Sequence, residues 1–233
     1  MAENIAQLQN KREAIESRRD TIREMMEDYD GYSSGVKAIL RADRRRAFLG
    51  IHGTVASIIN VPEQLERAFV SILGESYEQI VADKIEHVSQ AIAFLQSQNY
   101  GTTTFQCLEV LEGVVHSPIM GTDKLLINGE KGFVGYAIDL IQYDVAYQNV
   151  LNKLVGNVII VDSFQAAQVL SKKLEYRHPI VTLEGDIISK EKIVFAGKSK
   201  GIAMAIIGRR RLEAELNSQL EEIDEQLRQL GTN

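Results

Sequence analysis

The sequence is poor in the residues that build disulfide frameworks, metal centres and membrane spans. A single cysteine, Cys107, in 233 residues excludes an intramolecular disulfide and a four-cysteine zinc site, and the four histidines, at 52, 87, 116 and 178, show no ligand spacing. Cysteine usage of this kind points to a reducing, intracellular compartment. No stretch reaches the roughly 18 apolar residues of a membrane span. The opening run MAENIAQLQNKREAIE is charged and helical in pattern rather than a signal peptide. The expectation is a soluble, cytoplasmic protein with no membrane association. A formal charge of -6 argues against the chain as a whole binding nucleic acid, although a local basic patch is compatible with that average. Hydrophobic residues make up 45% of the chain, ample for a buried core, so unfolded and fibrous classes drop out.

What the sequence does have is a heptad seam at each end. Positions 5, 8, 12, 15, 19, 22 and 26 carry Ile, Leu, Arg, Ile, Arg, Ile and Met, an imperfect seam. Leu216, Leu220, Ile223, Leu227 and Leu230 form a cleaner one, with polar and charged residues between them. Neither segment contains proline, so each is a helix of several turns that cannot bury its stripe alone. Pairing the two as an antiparallel coil buries both and sets the intervening body at the tip of a rod. The chain then reads as a fragment of a longer protein.

Between about 28 and 208 the texture changes to short β-branched runs, glycines and amphipathic helices. Residues 62–73 read as a helix with Pro62 in its first turn, 80–82 as a strand and 84–97 as a helix. A strand at 102–108 follows. Later come a helix at 145–154, a strand at 155–162, a helix at 163–173 with Ser163 as N-cap, and strands at 180–183, 186–188 and 192–196. Helix, apolar strand ending in Asp, then helix thus occurs twice, at 62–97 and 145–173. The fold class is α/β (mixed α+β), with a body of two subdomains, 28–118 and 132–206, between arms at 1–27 and 207–233.

Chemical motifs do not survive scrutiny. Gly197-Lys198-Ser199 ends like a phosphate-binding loop, but the first glycine of that motif would fall at Lys192. Asp162 and Asp186 close strands, where Asp is commonly a cap or turn residue. Cys107 beside a strand reads as packing rather than a nucleophile. No catalytic constellation remains, and neither cofactor nor metal is expected.

The segment 131–141 (KGFVGYAIDLI) closely resembles the Gly-Phe-Val-Gly-x-Ala-x-Asp-Leu-Val signature of the hinge domains of structural maintenance of chromosomes (SMC) proteins. Upstream, the run beginning at Leu73 (LGESYEQIVADKIEHVSQAIAFLQSQNYGTTTFQCLEVL) is similar to the hinge pattern of Leu-Gly, an Ile-Val strand, a helix ending in Phe-Leu, and Thr-Phe-x-x-Leu. Downstream, VTLEGDIIS at 181–189 is similar to its Thr-Leu-Asp-Gly-Asp segment. The family usually has two glycine pairs after that segment. Here KEKIVFAGKSKG at 190–201 keeps only Gly197 of them.

The resemblance implies a non-catalytic dimerisation hinge whose two subdomains pair exposed sheet edges across a twofold axis, giving a homodimer that joins two long coiled-coil arms. The ATP-binding heads and accessory subunits would belong to the full-length protein of a chromosome condensation and segregation complex, cytoplasmic and nucleoid-associated if bacterial. The expected edges are Asp186, Ile187, Ile188, Ile193, Val194, Phe195 and Gly197 on one subdomain and Gly132, Phe133 and Gly135 on the other. Lys190, Lys192, Lys198, Lys200, Arg209, Arg210 and Arg211, with Arg41, Arg44, Arg45 and Arg46 near the incoming arm, are expected to form a neck patch for weak, sequence-independent DNA contact. The rival reading is an α/β ligand-binding or enzymatic domain with helical oligomerisation ends.

Overall fold

The computed structural model describes residues 2–112, 119, 121–196 and 201–231. The chain divides into two compact units, residues 1–30 with 208–233, and residues 31–207.

The first unit is a pair of helices, α1 (Ala2–Glu27) and the greater part of the C-terminal helix, Ile202–Gly231. All seven seam positions of α1 are partly buried, whereas most residues between them are exposed. Leu216, Leu220 and Ile223 are fully buried. Two ion pairs set the direction: Arg12 Nε lies 2.7 Å from Asp224, and Arg23 Nε lies 3.2 Å from Glu213. Moving forward from Arg12 to Arg23 along one helix moves back by the same number of residues along the other, so the helices are antiparallel and in register. Arg12, an apparent defect in the apolar seam, is the residue that reaches across to Asp224.

The second unit begins with α2 (Ser34–Arg44) and is built as two halves of the same design. The first half runs β1 (Ile51–Thr54), a 3-10 turn, β2 (Ile59–Asn60), a second 3-10 turn, α3 (Glu66–Leu73), β3 (Ile80–Ala82), α4 (Ile85–Gln98) and β4 (Phe105–Cys107), closing with the short α5 (Leu108–Leu111). After α6 (Thr122–Ile127) the second half repeats the order: β5 (Phe133–Tyr136), a 3-10 turn, β6 (Gln142–Tyr143), a 3-10 turn, α7 (Gln148–Val155), β7 (Ile159–Val161), α8 (Phe164–Lys173) and β8 (Ile180–Thr182). It then adds the hairpin β9 (Ile187–Ile188) and β10 (Val194–Phe195), before the C-terminal helix α9 (Ile202–Gly231).

The correspondence extends to single hydrogen bonds. β1 pairs antiparallel with β3, and β3 parallel with β4; β5, β7 and β8 repeat both relations, and each first pair carries a register shift at the same place, Ile51/Gly53 and Phe133/Gly135. Asp83 N donates to Gly50 O at 2.8 Å and Asp162 N to Gly132 O at 2.8 Å. The halves meet where β2 pairs antiparallel with β6. They share one core: Val55, Phe69 and Val81 lie in the same buried cluster as Ala137, Leu151 and Ile160, together with Ile206 and Ile207. The two halves are therefore distinct in topology and continuous in packing.

Ser163 caps α8 as expected, its hydroxyl accepting from Ala166 N at 3.3 Å. Three helices, α2, α5 and α6, have no counterpart in the sequence expectation. α6 is tied down by Asp123, which accepts from His178 Nε2 at 2.8 Å and pairs with Arg177 at 2.9 Å.

Candidate interaction edges

The second sheet has the order β10-β9-β8-β7-β5, and the first has the order β1-β3-β4. The two segments expected on separate subdomains, around Gly132 and around 186–197, therefore lie in one sheet, at its opposite edges. Four strand spacings separate them, about 19 Å. The expectation of one edge per subdomain is corrected: both belong to the second half.

The residues of the β5 segment are occupied inside the chain. Gly132 sits at φ +86°, and a Cβ there would come within 2.6 Å of both Ala166 Cβ and Asp162 Oδ1. Its counterpart Gly50, at φ +65°, stands as close to His87 and Asp83. These glycines permit the same strand-to-helix packing in each half, a sufficient reason for them without an interface. Gly135 faces Leu140, whose Cδ1 would lie 2.9 Å from an added Cβ. Phe133 is half-buried, packed edge-on against Tyr136 at 5.2 Å between centroids. Burial, and after it the charge of Asp139, raises the Tyr136 phenol above its ordinary pKa. Of the β5 side chains only Val134 is exposed.

The hairpin is different. Asp186 belongs to the tight β8–β9 turn, its N–H donating to Thr182 Oγ1 at 3.0 Å across Gly185 at φ +93°. Ile187 is half-buried against the shared core, and Ile188 is buried in a second cluster under α8. Ile193, Val194 and Phe195, by contrast, are 50%, 51% and 56% exposed. Among the described residues no strand lies on the outer side of β10. Three consecutive large apolar side chains on a bare edge form a ready template for strand addition. Gly197, the family glycine retained in the sequence, lies outside the described residues.

The basic residues fall into separate groups. Lys190 and Lys192 occupy the β9–β10 turn, where Lys190 stands 3.9 Å from Glu191 and Lys192, at φ +62°, lies over the Tyr176 ring at 5.3 Å. Lys198 and Lys200 lie outside the described residues. Arg209, Arg210 and Arg211 belong to the coil unit, where Arg209 donates to Asp30 O at 2.6 Å and Arg211 to Glu215 at 2.6 Å. Arg41, Arg44, Arg45 and Arg46 stand at the end of α2 and just beyond it.

With this geometry in view, the comparisons are decisive. The family model for the SMC proteins flexible hinge domain matches residues 48–171. The chain belongs to the SMC hinge family. It is 32% identical to the hinge domain of the Geobacillus stearothermophilus SMC protein, solved as an asymmetric dimer, with a TM-score of 0.90 over 99% of this chain and 91% of that one. The Chromosome partition protein Smc of Bacillus subtilis is 31% identical over 209 residues, 90% of this chain and 17% of that protein. The Pyrococcus furiosus SMC hinge domain, 21% identical with a TM-score of 0.55 over 83% of this chain and 92% of that one, shares the fold. The hinge chain thus spans about a sixth of the length of the curated relatives it matches. A hinge is a non-catalytic region, and among the described residues no group of three or more His, Cys, Asp or Glu could hold a metal ion. Nor is any described helix long and apolar enough to cross a membrane.

Proposed function

We propose that this hinge joins two copies of the chain by strand addition at β10, and so links the coiled-coil arms of a chromosome-partition protein whose ATPase heads lie elsewhere in its sequence. The observation that carries the reading is the exposed run Ile193-Val194-Phe195 on a sheet edge that no other strand among the described residues covers.

The receiving edge we favour is the outer side of β4. Pairing β10 of one copy with β5 of the next is head-to-tail, so it gives a ring of several copies or a filament rather than a closed pair. A single twofold partner cannot cover both edges of one sheet about 19 Å apart. Pairing β10 with β10 closes, but through one contact of two residues. The outer side of β4 is a better acceptor. In the second half the matching strand, β8, carries the antiparallel β9 on its outer side, whereas β4 has no strand there among the described residues. A dimer that pairs β10 with the partner's β4 forms two contacts at once, and each raises the effective concentration of the other. The Geobacillus relative was solved as a dimer, which supports this reading.

Light scattering tests it. The wild-type chain should have twice its 26.1 kDa mass. Val194→Lys with Phe195→Lys should be monomeric and remain folded by circular dichroism, since both side chains are exposed. A dimer unaffected by both lysines would sink the assignment of β10.

A further inference from the structure

A groove of about 630 Å³ lies between α2 and α4. It is lined by the partly buried Ala38 and Ala42 at its floor, by the exposed Ala47, by Phe94 and Tyr100, and by Lys37, Arg41 and Arg45. Among the described residues that line it there is no carboxylate. The three cations are spaced i, i+4 and i+8 along one row of α2 and its C-terminal continuation, about 6 Å apart. Ala38 and Ala42 form the next row, and short side chains there let a second helix approach closely.

A helix bearing carboxylates four residues apart has the same 6 Å repeat and the opposite charge. Single-stranded nucleic acid would need open aromatic faces for its bases. Phe94 is packed between Phe48 at 5.5 Å and Tyr100 at 5.7 Å, which leaves Tyr100, 42% exposed, as the one open ring among the lining residues, too few for a run of stacked bases. We propose that the α2–α4 groove docks an acidic helix of a partner protein, its carboxylates spaced every four residues against Lys37, Arg41 and Arg45 and its adjacent apolar row seated on the alanine floor.

The probe is a capped 16-residue helical peptide with Glu at every fourth position and Leu on the neighbouring row, titrated into the isotope-labelled dimer and followed by amide chemical shifts. Saturable shifts centred on residues 37–47 and 94–100, weakened at least about tenfold by Arg41→Glu with Arg45→Glu, are the expected result. Ala42→Trp fills the floor without changing charge and should abolish binding; retention there would mean that charge alone attracts the peptide and overturns the groove. Binding unaffected by the double charge reversal would also overturn it. So would a peptide that fails to bind while oligothymidylate shifts the same amides, which would make the surface a nucleic-acid site.

Discussion

The two halves of the body are built to the same plan and differ most on the outer side of the third strand of the sheet. In the second half β8 is flanked by β9 and β10; in the first half β4 is bare among the described residues. The duplicated part supplies the core and its turn geometry, and the unduplicated hairpin carries the exposed apolar edge. What is repeated holds the core, and what is not repeated is the part proposed above to serve association.

This contrast can be broken in several ways. The largest effect should come from Phe69→Ala in the shared core, at about 3–5 kcal/mol. Because Phe69 packs in one cluster with residues of both halves, chemical denaturation should show a single transition shifted as a whole. Two separated transitions would mean that the halves fold independently. Next, Val194→Lys with Phe195→Lys should weaken dimerisation at least about a hundredfold, measured by analytical ultracentrifugation, while changing the melting temperature of the monomer little. Gly50→Ala and Gly132→Ala should destabilise by similar amounts, about 1–3 kcal/mol each, because each Cβ meets the same kind of obstacle. A large loss of dimer from Gly132→Ala at unchanged stability would return that glycine to the interface. The smallest effect concerns charge. Reversal of Arg209, Arg210 and Arg211 to Glu should reduce any low-salt retention of DNA by a few-fold, with a shallower salt dependence; unchanged retention removes the neck patch.

Much of this was legible in the sequence because it rests on periodicity. The 3/4 seam at 5, 8, 12, 15, 19, 22 and 26 coincides with the partly buried positions of α1, and Leu216, Leu220 and Ile223 are buried as their spacing requires. The helix-strand-Asp-helix repeat was visible as a pattern at 62–97 and 145–173, and the structure extends it to matched bulges and matched Gly–Asp hydrogen bonds. Less legible was the partnership of strands. Sheet order depends on contacts between residues far apart in sequence, so nothing local told that β5 and β10 would bound the same sheet. Gly132 and Gly135 are ambiguous for a related reason, since a glycine required by Asp162, Ala166 or Leu140 has the same sequence signature as one required by another chain. α2 escaped notice because its apolar face, Val36, Ile39 and Leu40, is only three residues long between two stretches rich in glycine and arginine.

The most direct test of the central claim is amide hydrogen exchange on the wild-type dimer beside the Val194→Lys, Phe195→Lys monomer. The account predicts that residues 193–196 and 104–107 are together protected in the dimer and exchange faster in the monomer, with β5 alike in both. Protection that changes at β5 and leaves 104–107 untouched would contradict it.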